Sequence, residues 1–187
     1  MHAKFLNWFD MKKFLFTMFM CFAALFANAQ INRTIFGIQL GSTGSAAKQV
    51  LQSKGLKVET GESEFGYSIV GKEPIFSGVQ WDYVIVSLNN GKVYSVMFFK
   101  EKYDYDHMNY LKKEGEGITN ILQTKYAVYS KNPLELKMHE DAVPFEDGKT
   151  RLVILSYRPD SYKESLLLMY MDLEGAVERT SAIYDEL

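Results

Sequence analysis

Gly78-Val79-Gln80-Trp81-Asp82-Tyr83-Val84-Ile85-Val86-Ser87-Leu88-Asn89-Asn90-Gly91-Lys92-Val93-Tyr94-Ser95-Val96-Met97-Phe98-Phe99-Lys100 sets two runs of β-branched and aromatic residues on either side of an Asn-Gly pair. That arrangement is the strongest short-range hairpin signal, because a type I′ turn needs positive φ at both central residues. With Asn90 and Gly91 as the loop, Val86 is expected opposite Ser95 and Ile85 opposite Val96. One face then carries Val84, Val86, Leu88, Val93 and Met97, and the other carries Trp81, Tyr83, Ile85, Tyr94, Val96 and Phe98. Neither face is polar, so the hairpin is expected at the centre of a sheet with something covering both sides.

Outward on the N-terminal side, Thr43 is placed to cap a short helix whose apolar face is Ala46, Ala47, Val50 and Leu51, ended by Lys54-Gly55. A short strand is expected at Leu56-Lys57-Val58, and another where Phe65, Tyr67 and Ile69 alternate. On the C-terminal side a helix is expected from Asp104 to Tyr126, capped by Asp104 or Asp106, with the stripe Leu111, Ile118, Ile121, Leu122 and Tyr126. Gly115 and Gly117 weaken its middle; they let it approach the sheet closely or divide it in two. Strands follow where Leu134, Leu136 and Met138 alternate with polar residues, at Leu152–Tyr157 and at Leu166–Met171. Asp147-Gly148 and Pro159-Asp160 are the turn signals, and Ala176 to Tyr184 reads as a terminal helix. The whole reads as α-β-β-β followed by α-β-β-β, an α+β fold with an antiparallel sheet and helices packed on it.

The first 29 residues read differently. Met11-Lys12-Lys13 is basic, Phe14 to Phe26 is almost wholly apolar, and Ala27-Asn28-Ala29 is a small-residue cleavage site, the order of a secretory signal peptide. The apolar run is shorter than the ~20 residues a spanning helix needs. Met1 to Asp10 has no role in this pattern, so Met11 is expected to be the true initiator. Residues 30–187 then form the mature α+β domain, exported to the periplasm or the exterior. The full chain carries a net charge of −2, and the mature span is more acidic, losing Lys4, Lys12 and Lys13 but only Asp10. Without a basic stripe it is not expected to bind nucleic acid. The one cysteine, Cys21, leaves with the leader, and the residues before it do not make a lipoprotein cleavage box.

Phe36-Gly37-Ile38-Gln39-Leu40-Gly41, the capped short helix, Lys54-Gly55 and the Asn-Gly-Lys hairpin, together spanning Ile35 to Phe99, resemble small exported α+β proteins of the β-lactamase-inhibitor-protein-like type. The resemblance implies helix-plus-antiparallel-sheet repeats and a binding or assembly role, since some envelope assembly lipoproteins share that fold. This chain lacks the disulfides of the inhibitors and a lipidation cysteine, so no inhibitory residue is carried over.

Chemical motifs are sparse. Gly41-Ser42-Thr43-Gly44-Ser45 lacks the glycine-lysine step of a phosphate loop, and G-x-S-x-G is absent. His107, beside Asp104 and Asp106, reads as part of an acidic helix start, and His139 as a residue of a solvated strand face. No catalytic residue, metal site or cofactor is expected. All 12 tyrosines lie beyond the leader. Tyrosine suits strands and is also enriched at interfaces. The expected function is non-enzymatic: a binding or assembly module whose partner is a protein of the envelope or exterior, with Trp81, Tyr83, Tyr94, Tyr103 and Tyr105 as the candidate binding residues. The competing reading makes Trp81 a core residue under the second helix. The functional alternatives are a carrier of a small apolar or amphipathic ligand and a hydrolase whose site is hidden.

Overall fold

Three two-residue turns with positive φ at both central residues organise the N-terminal half. In the computed structural model, which describes residues 30–63, 66–105 and 108–176, Phe36-Gly37 joins β1 (Thr34–Ile35) to β2 (Ile38–Gln39). Ser77-Gly78 joins β5 (Ile75–Phe76) to β6 (Val79–Gln80), and Asn90-Gly91 joins β7 (Tyr83–Asn89) to β8 (Lys92–Tyr103). The first of these hairpins occupies what reads in sequence only as a lead into a helix.

The main sheet is antiparallel with seven strands in the order β3-β4-β7-β8-β11-β10-β9. Its further members are β3 (Val58–Ser63), β4 (Gly66–Lys72), β9 (Ala142–Glu146), β10 (Thr150–Asp160) and β11 (Lys163–Asp172). Two helices, α1 (Gly44–Ser53) and α2 (Tyr110–Tyr126), precede the two groups of strands, which meet where β8 pairs with β11. The fold is therefore α+β, with the first group one strand longer than the second. Among the described residues no helix is long and apolar enough to cross a membrane. The leader expected at residues 1–29, Phe65, Asp106, His107 and the terminal segment past Ala176 lie outside the described residues.

The central hairpin forms around the expected turn, but its register changes within three residues. Asn89 pairs with Lys92 and Leu88 with Val93; then a bulge intervenes, and Ser87 pairs with Ser95, Val86 with Val96 and Ile85 with Met97. A one-residue slip moves every later side chain to the opposite face. Val96 and Phe98 thus join Val84, Val86, Leu88 and Val93 in the core, and Met97 leaves it.

Both helices cover that same face. Thr43 Oγ1 accepts from the Ala46 N–H at 3.3 Å to cap α1, and Gly55 (φ 76°) ends it. α1 buries Ala47 and Leu51, while Ala46 is exposed. α2 is one continuous helix that touches the sheet at Gly115, where an added Cβ would lie 3.0 Å from Leu166 Cδ1 and 3.3 Å from Ser156 Cβ. Phe36, Phe76 and Trp81 from the small hairpins and the β6–β7 link close on Phe98, with ring centroids 5.8, 4.3 and 5.7 Å away.

Three further sequence expectations are corrected. The segment Leu134–Met138 is a chain of turns rather than a strand: Asn132 Oδ1 accepts from Leu134 N–H, and the Pro133 C=O accepts from both Leu136 and Met138 N–H. α2 begins at Tyr110, because Asp104 spends its carboxylate on the N–H groups of Met108 and Asn109 before the helix. The β10–β11 turn is Ser161-Tyr162, so Arg158, Pro159 and Asp160 belong to the strand, across a bulge after Tyr157.

Candidate functional site

The bulge leaves the reverse face of the sheet with its own apolar surface. Residues directly opposite on antiparallel strands share a face. Val70, Ile85, Met97 and Met169 therefore stand in line across β4, β7, β8 and β11. Tyr83, Phe99, Leu167 and Leu155 form the next line, across β7, β8, β11 and β10. Each of these side chains is half-buried or exposed, and α1 and α2 both pack on the opposite face. The helical residues 173–176 reach this side at its margin, where Gly175 C=O accepts from Asn89 Nδ2 at 3.2 Å. Towards β9 the surface ends in Val153 and Ala142, which are buried.

Charges at the margin of this face are paired. Lys163 Nζ is 2.6 Å from Glu101, Lys72 Nζ is 2.8 Å from Glu59, and Arg151 Nη2 is 2.7 Å from Glu146. The Glu101 hydrogen bond raises the Lys163 pKa, and the Glu59–Lys72 hydrogen bond lowers that of Glu59 while raising that of Lys72. A margin neutralised in this way suits contact with an uncharged surface.

One corner is aromatic. Tyr103 and Tyr105 stack at 5.7 Å with rings 6° from parallel, and Tyr105 lies 5.9 Å from Tyr162. The three are 61%, 67% and 54% exposed. Beneath them the backbone is anchored by charge. Asp104 is buried; it accepts from Met108 N–H at 2.9 Å, from Asn109 N–H at 3.0 Å and from the Arg158 guanidinium. Arg158 also donates to Asn109 Oδ1 at 2.9 Å and lies 3.5 Å from buried Glu164, whose Oε2 accepts from Leu111 N–H at 2.9 Å. Burial pushes the Asp104 carboxyl up, but the two backbone donors and Arg158 outweigh it and hold the group below the ordinary carboxylate range. The cluster thus pins the start of α2, the end of β8 and the end of β10 together, directly behind the tyrosines.

The five sequence candidates separate. Trp81 is 1% exposed and packs on Phe98 in the helix-covered core, so it does not share a face with Tyr83. Tyr83 and Tyr103 lie on the reverse face and its corner, and Tyr105 stacks on Tyr103. Tyr94 sits at the bulge, with its Cβ against Gly175. Ile85, already on the Tyr83 face in the sequence reading, is now joined by Met97, Phe99, Leu167 and Met169. Only the period-two alternation of β8 and β11 pointed to these four, and the bulge hid its phase. Nothing local signalled the Asp104–Arg158–Glu164 cluster.

Among the described residues no group of three His, Cys, Asp or Glu side chains is placed to hold a metal ion. His139 is exposed, and its Nδ1 accepts from Asp141 N–H at 3.2 Å. Comparison of the chain with protein-family models, with curated proteins and with solved structures finds no match to any of them.

Proposed function

We propose that this protein is a non-enzymatic binding or assembly module, exported behind a leader at residues 1–29, that engages a protein partner of the cell envelope or exterior through the face of its sheet opposite α1 and α2. One observation carries the reading: the contiguous surface of Tyr83, Ile85, Met97, Phe99, Leu167 and Met169, on the face opposite α1 and α2. Exposed apolar surface of this continuity marks interaction sites. Methionine side chains adapt to varied contacts, and aromatic anchors at the margin are the residue type that dominates binding energy.

The test is affinity capture from the envelope fraction of the source cells, comparing the native protein with a Tyr83→Ala/Tyr103→Ala variant. Both tyrosines are exposed, so the variant keeps its urea midpoint. Loss of an anchor weakens binding by about 2 kcal/mol or more, roughly thirtyfold. A protein captured by the native chain and lost by the folded variant supports the reading. Capture unaffected by the substitutions removes this face from the function. Recovery of extractable lipid instead of a protein replaces the reading with that of a carrier.

A further inference from the structure

Beyond the sheet's reverse face, the helix-covered side holds a cleft of about 480 Å³ between α2 and the β9–β10 end of the sheet. That volume is within the range of small-molecule sites. It lies beside the contact of α2 with the sheet at Gly115. Thr119, Asn120 and Gln123 line the helix wall, and Val143, Ile154 and Ser156 line the sheet side.

We propose that this cleft binds a small neutral polyhydroxylated ligand, a mono- or disaccharide. One lining residue of the cleft is Glu164, 2% exposed. Its Oε2 is satisfied by Leu111 N–H, but the partner of Oε1 among the described residues is Arg158 at 3.5 Å, the outer limit of a hydrogen bond. A buried carboxylate oxygen so weakly paired calls for a donor. Arg158 already donates to Asp104, Asn109 and the Ser161 C=O, and its charge is balanced by the buried Asp104 carboxylate. Lys112 and Arg158 line the cleft together with Glu116, Asp141 and Glu164, so its charges nearly balance and favour neither an anion nor a cation. An ammonium placed at Oε1 meets the neighbouring guanidinium and is repelled. A hydroxyl group avoids that conflict: it donates to Oε1 and carries no charge. Asn120, Gln123, Thr119 and Ser156 each donate and accept, as a ring of hydroxyls requires, while Val143 and Ile154 offer an apolar floor for the C–H face of a sugar.

The purified protein is titrated separately with N-acetylglucosamine, maltose, putrescine and inorganic phosphate, and the side-chain amide NMR signals of Asn120 and Gln123 are followed. At least one sugar is expected to shift both signals to saturation. In Asn120→Ala and Gln123→Ala, followed on the remaining amide, affinity falls about tenfold, the equivalent of one good hydrogen bond. Both positions are exposed on α2, so the variants keep the native urea midpoint. The Tyr83→Ala/Tyr103→Ala variant keeps the full sugar response, which separates this cleft from the face proposed for protein binding. The proposal is overturned by no saturable sugar shift at these amides, by saturable shifts with putrescine or phosphate alone, or by a sugar response that survives both single substitutions.

Discussion

Asn90 and Gly91 hold φ values of 49° and 74°, and the whole central hairpin turns on them. Valine resists that region because its branched Cβ crowds the backbone. Gly91→Val is expected to cost about 1–3 kcal/mol, read as a lowered urea midpoint. Trp81 tests packing. Trp81→Ala should cost roughly 3–5 kcal/mol. Trp81→Phe should cost clearly less, because it keeps a ring against Phe98 and removes an indole N–H that is buried without an acceptor among the described residues. Asp104 tests electrostatics. Its folded pKa lies below the ordinary carboxylate range, so its contribution is present above the unfolded pKa and disappears as pH falls through the folded one. Asp104→Asn should therefore lower stability at neutral pH and flatten its loss on acidification below that value, measured by urea midpoints along a pH series.

At the scale of elements, α2 carries two glycines with opposite duties. Gly115 is buried against Leu166 and Ser156, whereas a Cβ at Gly117 meets open space. Gly117→Ala should stabilise the protein by about 0.4–1 kcal/mol through the unfolded chain and helix propensity. Gly115→Val should destabilise it by about 1–3 kcal/mol, as overpacking does. Thermal unfolding of the two variants separates a spacing role from simple tolerance. The sequence identified both positions and the two roles open to them, but their assignment required the partner strands. The Leu134–Met138 alternation shows the reverse case. Its pattern fits a strand, yet Asn132-Pro133 supplies side-chain and carbonyl acceptors that close local turns first. Strand position went instead to Ala142–Glu146, which pairs with β10. There the outer edge is blunted by Pro144, whose C=O accepts from Lys131 N–H at 3.0 Å.

At the scale of the molecule, the decisive feature is sidedness. α1, α2 and the two small hairpins all pack where Val84, Val86, Val96 and Phe98 point. The sequence reading expects cover on both faces; α1 and α2 supply it to one. Tyr83 and Tyr103 are exposed on the side opposite α1 and α2, so truncating both is expected to shift stability by no more than about 0.5 kcal/mol each, as is usual for exposed positions. Equilibrium urea unfolding checks this independently of any partner. A larger loss would make that face part of the folding core.

Amino-acid order alone determined the local choices: the Asn-Gly turn, the Thr43 cap, the Gly55 stop, the alternation of β8 and β11, and so the α+β class. Each depends on the backbone preference of a few adjacent residues, which is complete without the rest of the chain. Tertiary structure decided the phase of that alternation. A bulged residue in β8 exchanged the two faces, and which face was buried followed from long-range pairing with β7 and β11. It also joined Asp104 to Arg158, 54 residues away, into the ionic anchor of the tyrosine corner. Side-chain direction reverses with every residue of a strand, so one inserted residue outweighs all the local propensity around it.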